Sequence, residues 1–363
     1  MKDEITSNIA RIGADSFWKQ GYKGKGVVVA VLDTGCNIHH IDLKDRIIGG
    51  FNFTREFDKD TTIFDDLNGH GTHVAGIIAA SANNTGIVGV APEINLLILK
   101  VLDQRGYGSV ESIINAIDYA IDWRGPNHEH VNIISMSLGM SSSNEALHNV
   151  IKKAIFNNIA VVVAAGNDGD GNLFTDEYSY PAKYEEVIAV GAFDDKNNVA
   201  DFSNTNKEVD LYAPGLLVKS TYLNKSYLHM SGTSMAAPHV SGALALLINK
   251  YENVTKLKPT EPQLFNYLMQ HTSKVHIGDF GDRISILNLT KDVIIEDDII
   301  EQMREKLDKE LLMKCFCETR KSQAYFTQCL NESYNQKERD FLIKLIQESA
   351  TKARYIKELC DVI

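Results

Sequence analysis

The sequence lacks any apolar run long enough to cross a membrane. Its longest apolar runs, such as residues 27–32, have the length of a β-strand, far below the roughly 18–20 apolar residues of a membrane span. Residues 1–18 are charged from the start and contain no apolar stretch, whereas a secretory signal has a positively charged start followed by one. We therefore expect a cytoplasmic protein with no membrane partner.

Cysteine is scarce and odd in number. Of the five cysteines, Cys36 stands alone, and Cys315, Cys317, Cys329 and Cys360 lie in the C-terminal part. Disulfide frameworks are typical of small secreted domains, so we expect these thiols to be reduced. A metal site on the C-terminal cysteines is disfavoured, because C-x-C is not the usual C-x-x-C spacing and residues i and i+2 of a helix point to different faces.

Positive charge is also in short supply. The chain has 37 Lys and Arg against 48 Asp and Glu, so its formal net charge is −11. A nucleic-acid surface needs clustered Lys and Arg to neutralise phosphates. The acidic balance therefore argues against a nucleic-acid partner, and in the same direction against an anionic membrane surface.

Up to about residue 290, short apolar runs alternate with helical patterns. The apolar, β-branched runs are residues 27–32, 94–101, 131–137, 159–164 and 187–190, and the clearest helical segments are 72–80, 110–122, 144–156 and 233–250. Strands that are apolar throughout must be covered on both faces. Strand–helix repetition of this kind gives a mostly parallel sheet between helices. The sequence predicts an α/β fold, a three-layer sandwich with a mostly parallel central sheet, in a domain of residues 1–290.

The amino-acid composition changes at about residue 291. From there to residue 363 the sequence contains no glycine and no proline and is rich in Glu, Lys, Leu and Ile. Apolar residues recur at every fourth position in Ile299, Met303, Leu307 and Leu311, and again in Leu342, Ile346 and Ala350. This spacing predicts a C-terminal all-helical extension. Its amphipathic helices would pack on the first domain or on a second copy of the chain, so a homodimer is one expectation.

Three short motifs carry an Asp, a His and a Ser in that order. Residues 31–35 read Val-Leu-Asp-Thr-Gly, which places Asp33 at the end of a buried strand. Residues 68–76 read Asn-Gly-His-Gly-Thr-His-Val-Ala-Gly, and the glycines beside His70 let other chain segments approach its imidazole. Residues 231–239 read Ser-Gly-Thr-Ser-Met-Ala-Ala-Pro-His, with Ser234 at the start of a helix whose amides favour developing negative charge.

Each motif alone has another interpretation. Asp-Thr-Gly also marks aspartic proteases, but these need two such carboxylates and the chain has only one Asp-Thr-Gly, at Asp33. His70 and His73, with two more histidines at 39–40, would suit zinc, but the H-E-x-x-H motif is missing. A serine at a helix start, such as Ser234, is usually an N-cap.

Taken together, the three motifs resemble those of the subtilase family of serine proteases. The resemblance runs through residues 8–288 and is strongest to the intracellular subtilisins of bacilli. It rests further on residues 33–36 (Asp-Thr-Gly-Cys), 134–139 (Ile-Ser-Met-Ser-Leu-Gly) and 164–171 (Ala-Ala-Gly-Asn-Asp-Gly-Asp-Gly). Ser231 departs from the pattern, since most relatives carry Asn there, and the helical extension has no counterpart in those proteases.

The resemblance implies a serine endopeptidase with a subtilisin-like fold and protein or peptide substrates. Ser234 would attack the scissile carbonyl, His70 would take its proton, and Asp33 would orient the imidazole. Asn167 would donate its side-chain amide to the oxyanion, together with the Ser234 backbone amide.

The resemblance also implies where the substrate binds. Two segments match those that flank the peptide backbone in the family, namely Gly106, Tyr107 and Gly108, and Ser137, Leu138 and Gly139. An extended peptide would add to them as a further strand. Ala164 and Gly166 would line the primary specificity pocket, and their small side chains suggest a roomy one.

Calcium is the implied cofactor, in a structural role. Residues 81–87 (Ser-Ala-Asn-Asn-Thr-Gly-Ile) match the family's tight calcium loop in their distance from the catalytic histidine. The implied ligands are the Asp42 carboxylate, the Asn83 side chain, and the carbonyls of Ser81, Thr85 and Ile87, with Asp3 completing the shell. Oxygen ligands of this kind suit Ca²⁺. A second, looser cation site is implied at the carbonyls of Ala182, Tyr184 and Val187, with Glu208 and Asp210 as further candidates.

Two functions within proteolysis stay open. One is general turnover of damaged protein, and the other is dedicated processing of one precursor peptide. A catalytically silent binding module on the same fold is an alternative of another class. The joint presence of Asp33, His70, Asn167 and Ser234 disfavours it, because together they serve acyl transfer.

Overall fold

The computed structural model describes residues 4–277, 282–291, 293 and 309–362. Within them the helices are α1 (Ser7–Ile12), α2 (Ala14–Lys19), α3 (His70–Ala79), α4 (Val110–Asp122), α5 (Glu145–Phe156), α6 (Thr233–Thr255), α7 (Glu261–Gln270), α8 (Lys309–Glu332) and α9 (Gln336–Val362). The strands are β1 (Val28–Asp33), β2 (Ile47–Asn52), β3 (Asn95–Lys100), β4 (Ile133–Met136), β5 (Ala160–Ala164), β6 (Ile188–Phe193), β7 (Leu211–Pro214), β8 (Val218–Thr221), β9 (Tyr227–Met230), β10 (Thr272–Ile277) and β11 (Asp282–Leu287).

Nine of these strands form one sheet, in the order β10-β11-β7-β6-β5-β4-β1-β3-β2. Neighbouring strands pair in parallel, except β10 and β11, which are antiparallel. β8 and β9 form a separate antiparallel ribbon. The predicted α/β architecture with a mostly parallel central sheet is confirmed.

Helices cover both faces of the sheet. On one face, Val28, Ala30 and Leu32 of β1 join one hydrophobic cluster with buried residues of α4 and α5. α3 and α6 pack against each other and against the strands, and none of their described residues belongs to that cluster. Every residue of β1 is buried, as expected for a strand that is covered on both sides.

The elements end and begin so that functional residues meet at one edge of the sheet. Asp33 is the last residue of β1, and β5 ends at Ala164, three residues before Asn167. His70 is the first residue of α3, and Ser234 is the second residue of α6. The carboxyl ends of parallel strands are where α/β sheets gather their active sites.

The C-terminal part of the chain is a compact unit of its own. The chain divides into units of residues 1–293 and 294–363. In the second unit, α8 and α9 pack against each other and are joined by the short connection 333–335. The expected all-helical extension is confirmed, while Ile299, Met303 and Leu307 lie outside the described residues. Among the helices that are described, none is both long and apolar enough to cross a membrane.

Candidate active site

Asp33 and His70 form a short hydrogen-bonded pair. His70 Nδ1 lies 2.7 Å from Asp33 Oδ1, which also accepts a hydrogen bond from the Thr34 amide at 2.7 Å. The Asp33 side chain is 1% exposed and that of His70 is 21% exposed. With Nδ1 occupied by the carboxylate, Nε2 is the ring nitrogen that is left for a reacting group.

The electrostatics of this pair favour a basic imidazole. Burial disfavours the charged form of His70, but the charge and hydrogen bond of Asp33 outweigh it, so the pKa of His70 is raised above its ordinary value. Neighbouring His73 behaves in the opposite way. Its burial lowers its pKa to about 4, and its Nε2 lies 3.1 Å from the Val218 carbonyl and 3.0 Å from that of Leu228. His73 is therefore a neutral residue of the interior.

Glycines allow the Asp33 turn and the start of α3 to approach each other. A Cβ atom on Gly71 would collide with the Gly35 carbonyl oxygen and would lie 3.1 Å from the Asp33 carboxylate. Gly69 precedes α3 with φ 103°, a backbone conformation that L side chains avoid. The Asn-Gly-His-Gly sequence thus sets the distance between imidazole and carboxylate.

Ser234 lies at the N-terminal end of α6, in the same region of the molecule. Its Oγ donates a hydrogen bond to the Ser137 carbonyl at 3.4 Å, and the Ser137 Oγ donates to the Ser234 carbonyl at 2.9 Å. Within the described part of the chain, no hydrogen bond joins Ser234 to His70. Such bonds are often long in the absence of substrate and tighten in the reacting complex.

Asn167 is held in one orientation by Thr233. The Asn167 Oδ1 atom accepts hydrogen bonds from the Thr233 amide at 2.8 Å and from its hydroxyl at 3.0 Å. Because Oδ1 binds Thr233, the amide nitrogen Nδ2 is left free to donate elsewhere. It lies near Gly232, two residues before Ser234, at 3.5 Å from the position that a Cβ atom on Gly232 would take. Sequence reasoning missed Thr233, whose only signal was its place beside Ser234.

A cleft of about 420 Å³ opens beside His70. It is lined by both predicted substrate segments, which contribute Gly106, Tyr107, Gly108, Ser137, Leu138 and Gly139. Ala164 and Gly166 do not line this cleft. Gly166 lies next to the serine-bearing helix instead, since its amide donates to Thr233 Oγ1 at 3.2 Å and its carbonyl accepts from the Asn204 amide at 3.0 Å.

Lys100 is a second residue that sequence reasoning missed. It ends β3 opposite Asp33 and its side chain is fully buried. Its ammonium donates to the Thr34 carbonyl at 2.6 Å and to the Leu102 carbonyl at 3.1 Å, and it lies 2.7 Å from Glu56 Oε2. This buried charge joins the turn after Asp33 to the chain that follows β3 and leads to the substrate segment 106–108.

The predicted calcium loop folds against Asp42, which is fully buried. Asp42 Oδ1 accepts from Asn83 Nδ2 at 2.8 Å, Oδ2 accepts from the Ile87 amide at 3.3 Å, and the Asp42 carbonyl accepts from the Ser81 amide at 2.8 Å. Asn83 Oδ1 accepts from the Thr85 amide at 2.9 Å. Asp42 forms no ion pair with any described residue. The Glu4 carboxylate contacts the same loop, where it accepts from the Asn83 amide at 2.9 Å. A buried carboxylate without an ion-pair partner among the described residues, with further oxygen ligands nearby, fits a cation, although Asn83 would have to turn its oxygen towards it.

The second predicted cation site has weaker features. Ala182, Tyr184 and Val187 are buried just before β6, and the Tyr184 carbonyl already accepts from the Val187 amide at 3.3 Å. The Asp210 carboxylate accepts from the Ala189 amide, and burial raises its pKa to about 6. The described residues contain no cluster of three His, Cys, Asp or Glu side chains suited to a metal. Asp3, the further ligand expected for the first site, lies outside the described residues.

An α/β sandwich with an Asp–His pair at its strand ends, beside a serine on a helix start, has the arrangement of a serine peptidase. Comparison with known proteins agrees with this class. The family model described as "Subtilase family" matches residues 24–298. The chain therefore belongs to the subtilase family and is a serine endopeptidase.

Individual relatives cover most of the chain. It is 50% identical over 277 residues to the major intracellular serine protease of Bacillus subtilis (strain 168), covering 76% of this chain and 85% of that protein. An intracellular serine protease of Paenibacillus polymyxa is 50% identical over 270 residues, covering 74% and 81%. Subtilisin DY of Bacillus licheniformis is 43% identical over 251 residues, covering 69% and 87%.

Proposed function

We propose that Ser234, His70 and Asp33 carry out peptide-bond hydrolysis through an acyl-enzyme. Ser234 Oγ attacks the scissile carbonyl while His70 Nε2 takes its proton and then delivers it to the leaving amine. Water then attacks the acyl group, again with His70 as base, and releases the acid. The observation that carries this proposal is the 2.7 Å hydrogen bond between His70 Nδ1 and Asp33 Oδ1, which holds the ring in the required tautomer.

The oxyanion is bound by the Ser234 backbone amide and the Asn167 side-chain amide. The hydrogen bonds from Thr233 to Asn167 Oδ1 support this role, because they fix the orientation of the donor before substrate arrives. A donor that is held in place needs no reorganisation when charge develops in the transition state.

The substrate lies in the cleft as an extended strand between the segments 106–108 and 137–139. Main-chain hydrogen bonds supply affinity, and side-chain pockets supply selectivity. Ala164 and Gly166 line the primary specificity pocket. Their position at the end of β5, close to Thr233, supports this part of the proposal.

Hydrolysis of a chromogenic peptide tests the catalytic roles. Ser234→Ala should abolish turnover. Ser231→Ala, a matched change three residues earlier, should retain it, because within the described residues the Ser231 side chain forms one hydrogen bond, which it accepts from the Leu217 amide. Full activity in Ser234→Ala would refute the assignment. A folded wild-type protein without activity would favour a silent binding module.

We further propose that the protease acts in the cytoplasm on many damaged proteins rather than on one precursor peptide. The names of two relatives as intracellular proteases support the location. The residues that line the cleft in the described part of the chain include no Asp, Glu, Lys or Arg that would select one charged sequence, which supports a broad range of substrates. Identification of cleaved peptides in cells with and without the active enzyme tests this choice. Cleavage at many unrelated sites is expected, and one dominant site would show a dedicated processing protease.

Calcium is proposed as a structural cofactor of the loop 81–87. Asp42, Asn83 and the carbonyls of Ser81, Thr85 and Ile87 would hold it. A bound ion would neutralise the buried Asp42 carboxylate and tie the loop to the segment after β1. The carbonyls of Ala182, Tyr184 and Val187 stay a prediction for a second cation.

The helical extension, residues 291–363, is proposed as a separate domain that joins two copies of the chain. Its described helices leave large side chains in solvent: Tyr325 is 64% exposed and Phe341 is 62% exposed. The described pair of helices is too small to be more than marginally stable without further burial. Light scattering of the full chain should give the mass of two copies, reduced in Phe341→Glu. A monomeric wild-type protein would contradict the proposal.

A further inference from the structure

Asp66 is a buried carboxylate four residues before His70. It is 6% exposed. Its Oδ1 atom accepts from Thr34 Oγ1 and from the amides of Asn68 and Gly69, each at 2.9 Å. Its Oδ2 atom accepts from the Thr72 amide at 2.9 Å and from the Thr72 hydroxyl at 2.6 Å. Two carboxylate oxygens thus receive five hydrogen bonds, all from neutral donors.

These bonds join the two parts of the chain that carry the acid–base pair. Thr34 directly follows Asp33, and its hydroxyl oxygen also accepts from the Gly71 amide at 2.9 Å. Thr72 lies in the first turn of α3, two residues after His70. Asp66 therefore holds the strand end that carries the carboxylate and the helix start that carries the imidazole in one hydrogen-bonded unit.

Asp66 also contributes charge. It forms no ion pair with a Lys or Arg of the described residues, and the Lys100 ammonium that donates to the Thr34 carbonyl is paired with Glu56 instead. The buried Cys36 thiol nearby stays neutral, since burial and then the charge of Asp66 raise its pKa. A buried anion near an imidazole favours the imidazolium. For His70, burial opposes the charged form, Asp33 favours it most, and Asp66 adds to the effect of Asp33.

We propose that Asp66 is a positioning residue of this peptidase, which fixes His70 against Asp33 and stabilises the imidazolium formed when His70 takes the Ser234 proton. The inference rests on the proposed roles of those three residues. No covalent step passes through Asp66. It acts through the hydrogen bonds of Thr34 and Thr72 and through its field at the ring.

The variant Asp66→Asn, measured in the full-length active enzyme, tests the proposal. Asparagine has one side-chain oxygen, so it can accept the bonds of only one of the two Asp66 oxygens. Its NH₂ group would face the donors at the other oxygen, and those hydrogen bonds would be lost. We expect kcat to fall about 10- to 100-fold with a small change in KM, because small misplacements of catalytic groups have effects of this size. Without the negative charge of Asp66 the imidazolium is less stable, so the acid limb of the pH profile of kcat/KM should move to lower pH.

Asp65→Asn is the matched control. It removes the same charge one residue earlier, and the Asp65 side chain is only half-buried and makes none of the hydrogen bonds found in the described part of the chain. We expect this control to keep the wild-type kcat and acid limb. An Asp66→Asn enzyme with unchanged kcat, or with reduced kcat and an unmoved acid limb, would overturn the proposal. The same holds if Asp65→Asn shifts the limb equally.

Thr34→Val provides a second test should Asp66→Asn fail to fold. It removes the link from Asp66 to the Asp33 turn and leaves the charge of Asp66 in place. A reduced kcat with an acid limb at the wild-type pH supports the proposal, and a wild-type kcat overturns it. Ser234→Ala separates this result from the catalytic assignment, since activity in that variant would refute the triad whatever Asp66 does.

Discussion

The buried ion pair of Lys100 and Glu56 allows a prediction about the free energy of unfolding. The Lys100 side chain is 0% exposed and that of Glu56 is 15% exposed, with 2.7 Å between Nζ and Oε2. Lys100→Met keeps the apolar stem and deletes the charge. In this variant Glu56 loses its cation. The Thr34 and Leu102 carbonyls lose the ammonium donor, which lies 2.6 and 3.1 Å from them in the wild-type protein.

The expected loss follows from what remains buried. Removing one partner of a buried pair costs about 3–5 kcal/mol, mostly because the other charge stays behind. Since water reaches part of Glu56, we expect Lys100→Met to lower the free energy of unfolding by about 3 kcal/mol. Glu56→Gln should cost about 1–3 kcal/mol, because Lys100 keeps its two carbonyl acceptors. The double variant should lose less than the sum, with a coupling of about 0.5–3 kcal/mol.

Urea unfolding of the full chain measures these differences. All variants carry Ser234→Ala, so that autolysis cannot distort the transition, and Trp18 and Trp123 report unfolding by fluorescence. If parent and variants have equal m-values, a difference between their urea midpoints reports a difference in the free energy of unfolding. A Lys100→Met variant within about 0.5 kcal/mol of its parent would refute the reasoning, because a loss that small is typical of surface substitutions.

The remaining predictions concern the site and the calcium loop. Gly71→Ala should reduce kcat strongly, since the new Cβ meets the Gly35 carbonyl and pushes α3 away from Asp33; wild-type kinetics would contradict this. Asn167→Leu should lower kcat by about 10²–10³, a magnitude taken over from the removal of an oxyanion donor in a subtilisin rather than worked out from this chain, with KM little changed. Because Asp33 raises the pKa of His70, the wild-type acid limb should lie above the ordinary histidine value of about 6.5, and Asp33→Asn should move it down; an upward move would exclude this account. EDTA should lower the melting temperature of the wild-type protein but not of Asp42→Asn, and equal responses would argue against the loop 81–87.

The interior of the fold was predictable from the sequence, and its edges were not. β1 and α4 follow from apolar runs and helical periodicity, and α4 was predicted with the bounds it has. β2 contains two glycines and is only partly buried, so it lacks the apolar signal of a central strand. α3 begins at His70 rather than at Thr72, because Gly69 adopts a conformation that sequence periodicity does not reveal.

For the site, the catalytic residues were predictable from the sequence, and the buried residues that hold them in place were not. The motifs named Asp33, His70 and Ser234, because the chemistry needs those side chains. Asp66 and Lys100 gain their roles from the backbone atoms that the fold brings to them. In a sequence, a lone Asp or Lys is most often a solvated surface residue. Whether such a charge is buried depends on contacts between segments far apart along the chain.

Reaction of the folded protein with a fluorophosphonate tests the catalytic claim most directly, since the reagent captures an activated serine as a stable covalent adduct. Mass spectrometry of the digested product locates the modified residue. We predict a single adduct on Ser234, formed faster as pH rises through the His70 pKa and absent from Ser234→Ala. An adduct on another serine, or equal labelling of Ser234→Ala, would contradict the account.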